Sequence, residues 1–154
     1  MAIDAWCALT GGVQTMPEQK DSQVACSRIL LVEDDPEHVF IALAVLRQVL
    51  GDDTQIVVAK TAEEALAIID NFTDLDRPDL VLVDLYLPNE GGFRVLSGLK
   101  AHGLPPEVPI FVVTSSMYDR DVALSYELGA CAVLFKPLSR AQLKEELKRM
   151  GALL

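Results

Sequence analysis

The chain has 154 residues, 51% of them hydrophobic, a mean hydropathy of +0.28 and a net charge of −10, which suits one domain with a real core and excludes a disordered composition. A pI near 4.5 argues against sequence-independent nucleic-acid binding, which depends on Lys and Arg displacing counterions from phosphates, and equally against an anionic membrane surface. No apolar run approaches about 18 residues, Asp4 precedes any Lys or Arg, and Cys7, Cys26 and Cys131 have no metal-ligand spacing, so the expectation is a cytoplasmic protein without a disulfide framework or membrane span.

Residues 1–26 show no sustained period, and Gly11-Gly12 and Pro17 interrupt any element, which predicts a flexible leader before a domain over 27–154. The run RILLV at 28–32 then begins a strand that ends in Glu33-Asp34-Asp35. Asp35-Pro36 reads as an N-cap with proline at the first helical position, and Val39, Leu43, Leu46 and Leu50 give the helix its apolar stripe. QIVVA at 55–59 predicts a second strand, ending in Lys60. Thr61 with Glu64 has capping-box spacing, before a helix striped by Ala62, Ala65, Leu66 and Ile69.

The third strand is DLVLV at 79–83, followed by Asp84 and by a loop punctuated by Leu87-Pro88 and Gly91-Gly92. Val95, Leu96 and Leu99 mark the next helix, and PIFVV at 109–113 the fourth strand, ending in Thr114-Ser115-Ser116. A helix over 118–128 has a weaker stripe. AVLF at 132–135 is the fifth strand, ending in Lys136-Pro137. Ser139 and Gln142 open a last helix with Leu143, Leu147 and Met150 inward. Near-continuous apolar strands must be covered on both faces, so the alternation predicts an α/β fold, a (βα)5 doubly wound parallel sheet.

Open parallel sheets bind ligands beyond the carboxyl ends of their strands, where strand order reverses. With order 2-1-3-4-5 the reversal separates the first and third strands, which carry Glu33, Asp34 and Asp84. Carboxylates crowded in a cleft raise one another's pKa unless a cation sits among them, and an all-oxygen donor set selects a hard ion such as Mg²⁺. Lys136 adds a fixed positive charge and Thr114 a hydroxyl. A metal, an ammonium and a hydroxyl around one carboxylate make a clamp for a transferring phosphoryl group, with Asp84 as the nucleophile that forms an acyl phosphate.

The set ILLVEDDPEH, VLVDLYLP, VVTSS and FKPL resembles the receiver domain of two-component response regulators over roughly residues 28–150. The resemblance implies a flavodoxin-like fold of order 2-1-3-4-5 and phosphorylation, Mg²⁺-dependent, by a histidine kinase or histidine phosphotransfer protein. It matches Asp84 to the phospho-acceptor, Thr114 to the switch hydroxyl and Lys136 to the phosphate-pairing lysine. Asp34 becomes a direct metal ligand, Glu33 one acting largely through water, and the Tyr86 carbonyl the remaining protein ligand. It also implies a cis peptide before Pro137. Leu87-Pro88 after Asp84 resembles stand-alone regulators partnered with phytochrome-type histidine kinases.

Receivers commonly hold Tyr or Phe three residues before the lysine, where this chain has Val133. The signal is therefore expected to pass through Thr114 and the loop after strand four. It would leave through the face of the last two helices and strand five, as a homodimer or by docking. Plainer readings apply to Lys60, a solvated strand end, to His38, a surface residue of the first helical turn, and to His102, a structural residue. The competing functions are a haloacid dehalogenase-type phosphatase, whose D-x-D nucleophile follows its first strand instead, and a receiver-like scaffold that works without phosphorylation. Against both, the chain is expected to be a signalling module that turns over no separate substrate.

Overall fold

The computed structural model describes residues 27–102 and 104–152; the expectations for residues 1–26 lie outside this range. Strands β1 (Arg28–Val32), β2 (Gln55–Ala59), β3 (Leu80–Asp84), β4 (Ile110–Thr114) and β5 (Ala132–Phe135) alternate with helices α1 (Pro36–Leu50), α2 (Ala62–Asn71), α3 (Gly91–Ala101), α4 (Asp119–Glu127) and α5 (Arg140–Arg149). All strand pairs are parallel, in the order β2-β1-β3-β4-β5. This is the expected flavodoxin-like sheet.

Successive side chains of a strand point to opposite faces, and both faces here are covered. Ile29, Leu31, Leu80, Leu82, Phe111 and Val113 share one core with Leu46 of α1 and Leu143 and Leu147 of α5. Leu30, Val32, Val81, Val83 and Val112 share the other with Ala65 and Ile69 of α2 and Val95, Leu96 and Leu99 of α3. Each fully buried Leu, Ile or Val contributes about 1.5–3 kcal/mol relative to exposure. Polar residues inside the strands would forfeit that on either face, which is why the strands read as unbroken apolar runs.

The caps form as their spacing predicts. Asp35 accepts from the amides of Glu37 (2.8 Å) and His38 (3.4 Å), Thr61 from Glu64 N–H (3.0 Å) and Ser139 from Gln142 N–H (3.2 Å). The return bonds go elsewhere than in a capping box: Glu64 accepts from Lys60 N–H and Gln142 from Phe135 N–H.

Two expectations change. Strands β3 and β4 each run one residue later than the apolar pattern, so Asp84 and Thr114 are the last residues of their strands rather than the first of the loops. Asp79 instead anchors the sheet's entry, one carboxylate oxygen accepting from the amides of Ser27 (2.9 Å) and Arg28 (3.0 Å). Gly91 and Gly92, read as loop punctuation, begin α3. A Cβ at Gly92 would lie 2.3 Å from the Asp84 carbonyl oxygen and 2.4 Å from Leu85 Cα, so glycine is needed there for space. The helix expected over 118–128 is present as α4, and its faint stripe has a physical cause: its buried residues are Asp121 and Ser125, and its N-cap, Tyr118, makes no side-chain cap bond. Among the described residues no helix is long and apolar enough to cross a membrane.

Candidate functional site

Strands β1 and β3 are neighbours and pair in register up to Val32 and Val83, so the residues that follow each meet at one end of the sheet. Glu33, Asp34 and Asp84 each offer a carboxylate oxygen within 4.8 Å of the others. Glu33 and Asp84 are buried, at 4% and 5% exposure, whereas Asp34 faces solvent.

Lys136, just after β5, reaches back to this pair. Its Nζ lies 2.6 Å from Glu33 Oε2 and 3.1 Å from Asp84 Oδ2. The Lys136-Pro137 peptide is cis, as the resemblance implied, and Lys136 N–H donates to the Thr114 carbonyl (2.9 Å). The remaining carboxylate oxygens take backbone amides: Glu33 Oε1 accepts from Asp35 N–H (3.1 Å) and Asp84 Oδ1 from Tyr86 N–H (3.1 Å). Each buried carboxylate is thus held by one amide and one shared ammonium.

Three carboxylates against one ammonium leave a formal deficit of two positive charges among these four side chains. The strain shows at Glu33, whose carboxyl is held above its ordinary value by burial first and then by the neighbouring charge of Asp84; Lys136 and the Asp35 amide pull the other way. An all-oxygen set with a charge deficit of two suits a hard divalent cation. The residues present therefore fit the metal that the resemblance implies.

Thr114, fully buried at the end of β4, has its Oγ1 accepting from Ser116 N–H (2.9 Å). Tyr86 leaves β3 with its side chain half exposed, and its hydroxyl donates to Asp121 Oδ2 (3.0 Å). Val133, where an aromatic was the usual expectation, packs partly buried against the α2–α3 core.

Two neighbours of the site were not foreseen. His38, read as a surface residue, sits with Nδ1 2.9 Å from Lys136 Nζ and 3.7 Å from Glu33 Oε2. Its position one turn into a helix that follows an acidic strand end was the available signal. Asp121 is buried and accepts from both Tyr86 and Ser116 (2.6 Å to Ser116 Oγ). It stands 35 residues from Tyr86, and no local pattern could have joined them.

Residues 29–148 match the response regulator receiver domain family. The response regulator Rcp1 of Synechocystis is 32% identical over 70% of this chain and 75% of its own length; its Mn²⁺-bound crystal structure superposes with a TM-score of 0.61 over 80% of this chain and 88% of that one, at 30% identity. The bacteriophytochrome response regulator AtBRR is 32% identical, with a TM-score of 0.67 over 84% of this chain and 95% of that one. The receiver domain of the sensor histidine kinase PA1611 of Pseudomonas aeruginosa, solved with magnesium in its active-site cleft, is 25% identical, with a TM-score of 0.68 over 82% and 98% of the two chains. The chain spans about half the length or less of several other curated relatives that it matches. Fold, sequence match and strand-end chemistry agree: this chain belongs to the response regulator receiver domain family.

Proposed function

We propose that this receiver domain, over residues 27–154 with 1–26 as a leader, accepts a phosphoryl group on Asp84 from a histidine kinase or histidine phosphotransfer protein. The observation that carries the reading is the buried Asp84 carboxylate, aimed at the cleft by the Tyr86 amide and paired with Lys136 beside Glu33 and Asp34. An Asp84 oxygen attacks phosphorus, a P–O bond forms, and the P–N bond of the donor phosphohistidine breaks, its electron pair staying on that nitrogen; with the other ring nitrogen protonated, the histidine leaves as neutral imidazole. Lys136 is within reach of a phosphoryl oxygen on Asp84, and Thr114 would turn its hydroxyl toward another. Glu33, Asp34, Asp84 and the Tyr86 carbonyl would hold Mg²⁺, which neutralises charge on the phosphoryl oxygens.

The domain assists its own phosphorylation and dephosphorylation and turns over no other substrate. Its setting is the cytoplasm. A phytochrome-type kinase as donor is supported by the likeness to AtBRR and by Leu87-Pro88. The output is homodimerisation or partner docking through the α4-β5-α5 face, a role supported by the exposed Tyr126 and Phe135 on it. Incubation with acetyl phosphate and Mg²⁺ tests the reading against a phosphatase and a passive scaffold. Uptake of a single phosphoryl group, with no turnover of a generic phosphate ester, is expected; ester turnover or no uptake overturns it.

A further inference from the structure

Helix α4 is held to the body of the domain unlike any of its neighbours. The buried residues of α1, α2 and α5 are all apolar, and those of α3 apolar or glycine; those of α4 are Asp121 and Ser125, with Leu124 and Tyr126 turned to solvent. Val122 is only half-buried, and Leu128 at the C-cap packs on the α2–α3 core; the fully buried attachment of the helix is polar, and it centres on one oxygen. Asp121 Oδ2 accepts from Ser116 Oγ–H (2.6 Å) in the β4–α4 loop and from Tyr86 O–H (3.0 Å) in the β3–α3 loop. Ser125 Oγ–H donates back to the Asp121 carbonyl (2.8 Å), and Ser116 Oγ also accepts from Tyr118 N–H (3.3 Å) at the start of the helix. One buried carboxylate oxygen thus gathers two hydroxyl donors from two different loops, and hydrogen bonds to a carboxylate are of the stronger, charge-assisted kind.

The same Ser116 is tied to the switch hydroxyl, since its amide donates to Thr114 Oγ1 (2.9 Å). A continuous chain of hydrogen bonds thus runs from Thr114 through Ser116 to Asp121 and Tyr86. We propose that Asp121 is a positioning residue that latches the β4–α4 loop and α4 in their unphosphorylated arrangement, and that phosphorylation of Asp84 opens this latch. The proposal rests on phosphoryl acceptance by Asp84. When Thr114 turns its hydroxyl toward the phosphoryl group it leaves the Ser116 amide, and the loop that carries Ser116 shifts with it. The Ser116–Asp121 bond then breaks, and α4, with no large apolar side chain fully buried, is released. The latch biases a two-state equilibrium toward rest, so a ligand of the other state binds more weakly while it is intact.

Beryllofluoride, a phosphoryl analogue that binds to a carboxylate, is the probe. Its affinity in saturating Mg²⁺ is measured by calorimetry on the full chain, for wild type, Tyr86→Phe and Asp121→Asn. Removing one hydroxyl arm, or the charge that receives both, should tighten binding about tenfold, equivalent to about 1.4 kcal/mol. Amide exchange over 116–128 without beryllofluoride should accelerate in both variants toward the rate of the bound wild type. Simple structural damage would weaken binding instead, so unchanged or weaker binding overturns the latch. If wild type itself fails to bind beryllofluoride, the acceptor reading of Asp84 fails. The claim that phosphorylation opens the latch fails with it; faster exchange over 116–128 in both variants would still show Asp121 holding α4 at rest, and unchanged exchange refutes that as well.

Discussion

Replacing Lys136 with methionine keeps the length of the side chain and removes the cation shared by Glu33 and Asp84. The geometry sets the scale. Nζ sits 2.6 Å and 3.1 Å from the two carboxylates, and all three side chains are at most 10% exposed. Removing one partner of a buried ion pair typically costs 3–5 kcal/mol. Each carboxylate here keeps a backbone amide and the cleft opens to water, so the lower value of about 2–3 kcal/mol is expected at pH 7 without metal. For a chain of this size that is about 4–12 °C in melting temperature. Glu33 in the wild type already titrates above its ordinary 4.5 because it is buried, and the variant should raise it further. A raised carboxyl makes ionisation unfavourable in the folded state, so the deficit is full above the folded pKa and fades as pH falls toward 4.5. Mg²⁺ should restore part of the loss, as should Asp84→Asn in the same chain, which removes one of the repelling charges. Thermal melts at pH 7 and near pH 4.5, with and without Mg²⁺, check the account. No loss of stability, or a loss indifferent to both pH and Mg²⁺, would refute the reasoning.

Gly92→Ala should destabilise by about 3 kcal/mol or more, measured by urea titration, because the new Cβ would lie 2.3 Å from a backbone oxygen that cannot yield as a flexible side chain could. Asp34→Ala should lower Mg²⁺ affinity steeply by calorimetry while barely changing the melting temperature, since Asp34 is exposed and its proposed role is ligation. Tyr86→Asn should shorten the lifetime of the phosphorylated state, and Tyr86→Phe should leave it nearly unchanged, if the ring shields phosphorus from in-line water; equal hydrolysis rates in wild type and Tyr86→Asn would exclude that shielding.

The strand and helix order, the caps and the carboxylate cluster were legible because each rests on short-range rules: apolar runs, Asp35 before Pro36, charged residues at strand ends. The exact ends of β3 and β4 were not, because an aspartate and a threonine were read as loop although both stay in the ladder, Asp84 opposite Val113 and Thr114 opposite Phe135. Gly91-Gly92 misled for a related reason. Glycine marks either a turn or a close approach, and only the packing of α3 on Leu85 decides between them. His38 beside Lys136 and the Asp121 junction are products of tertiary packing, joining residues 98 and 35 positions apart. Polar residues in a weakly striped helix read as solvent-facing until their partners are seen.

The most direct test of the central claim is to locate the phosphoryl group chemically. After incubation with acetyl phosphate and Mg²⁺, hydride reduction converts an aspartyl phosphate to homoserine, and peptide mass analysis finds the altered residue. Homoserine at position 84, and at no other aspartate, is the predicted result; an altered residue elsewhere, or uptake of phosphoryl that survives Asp84→Asn undiminished, would contradict it.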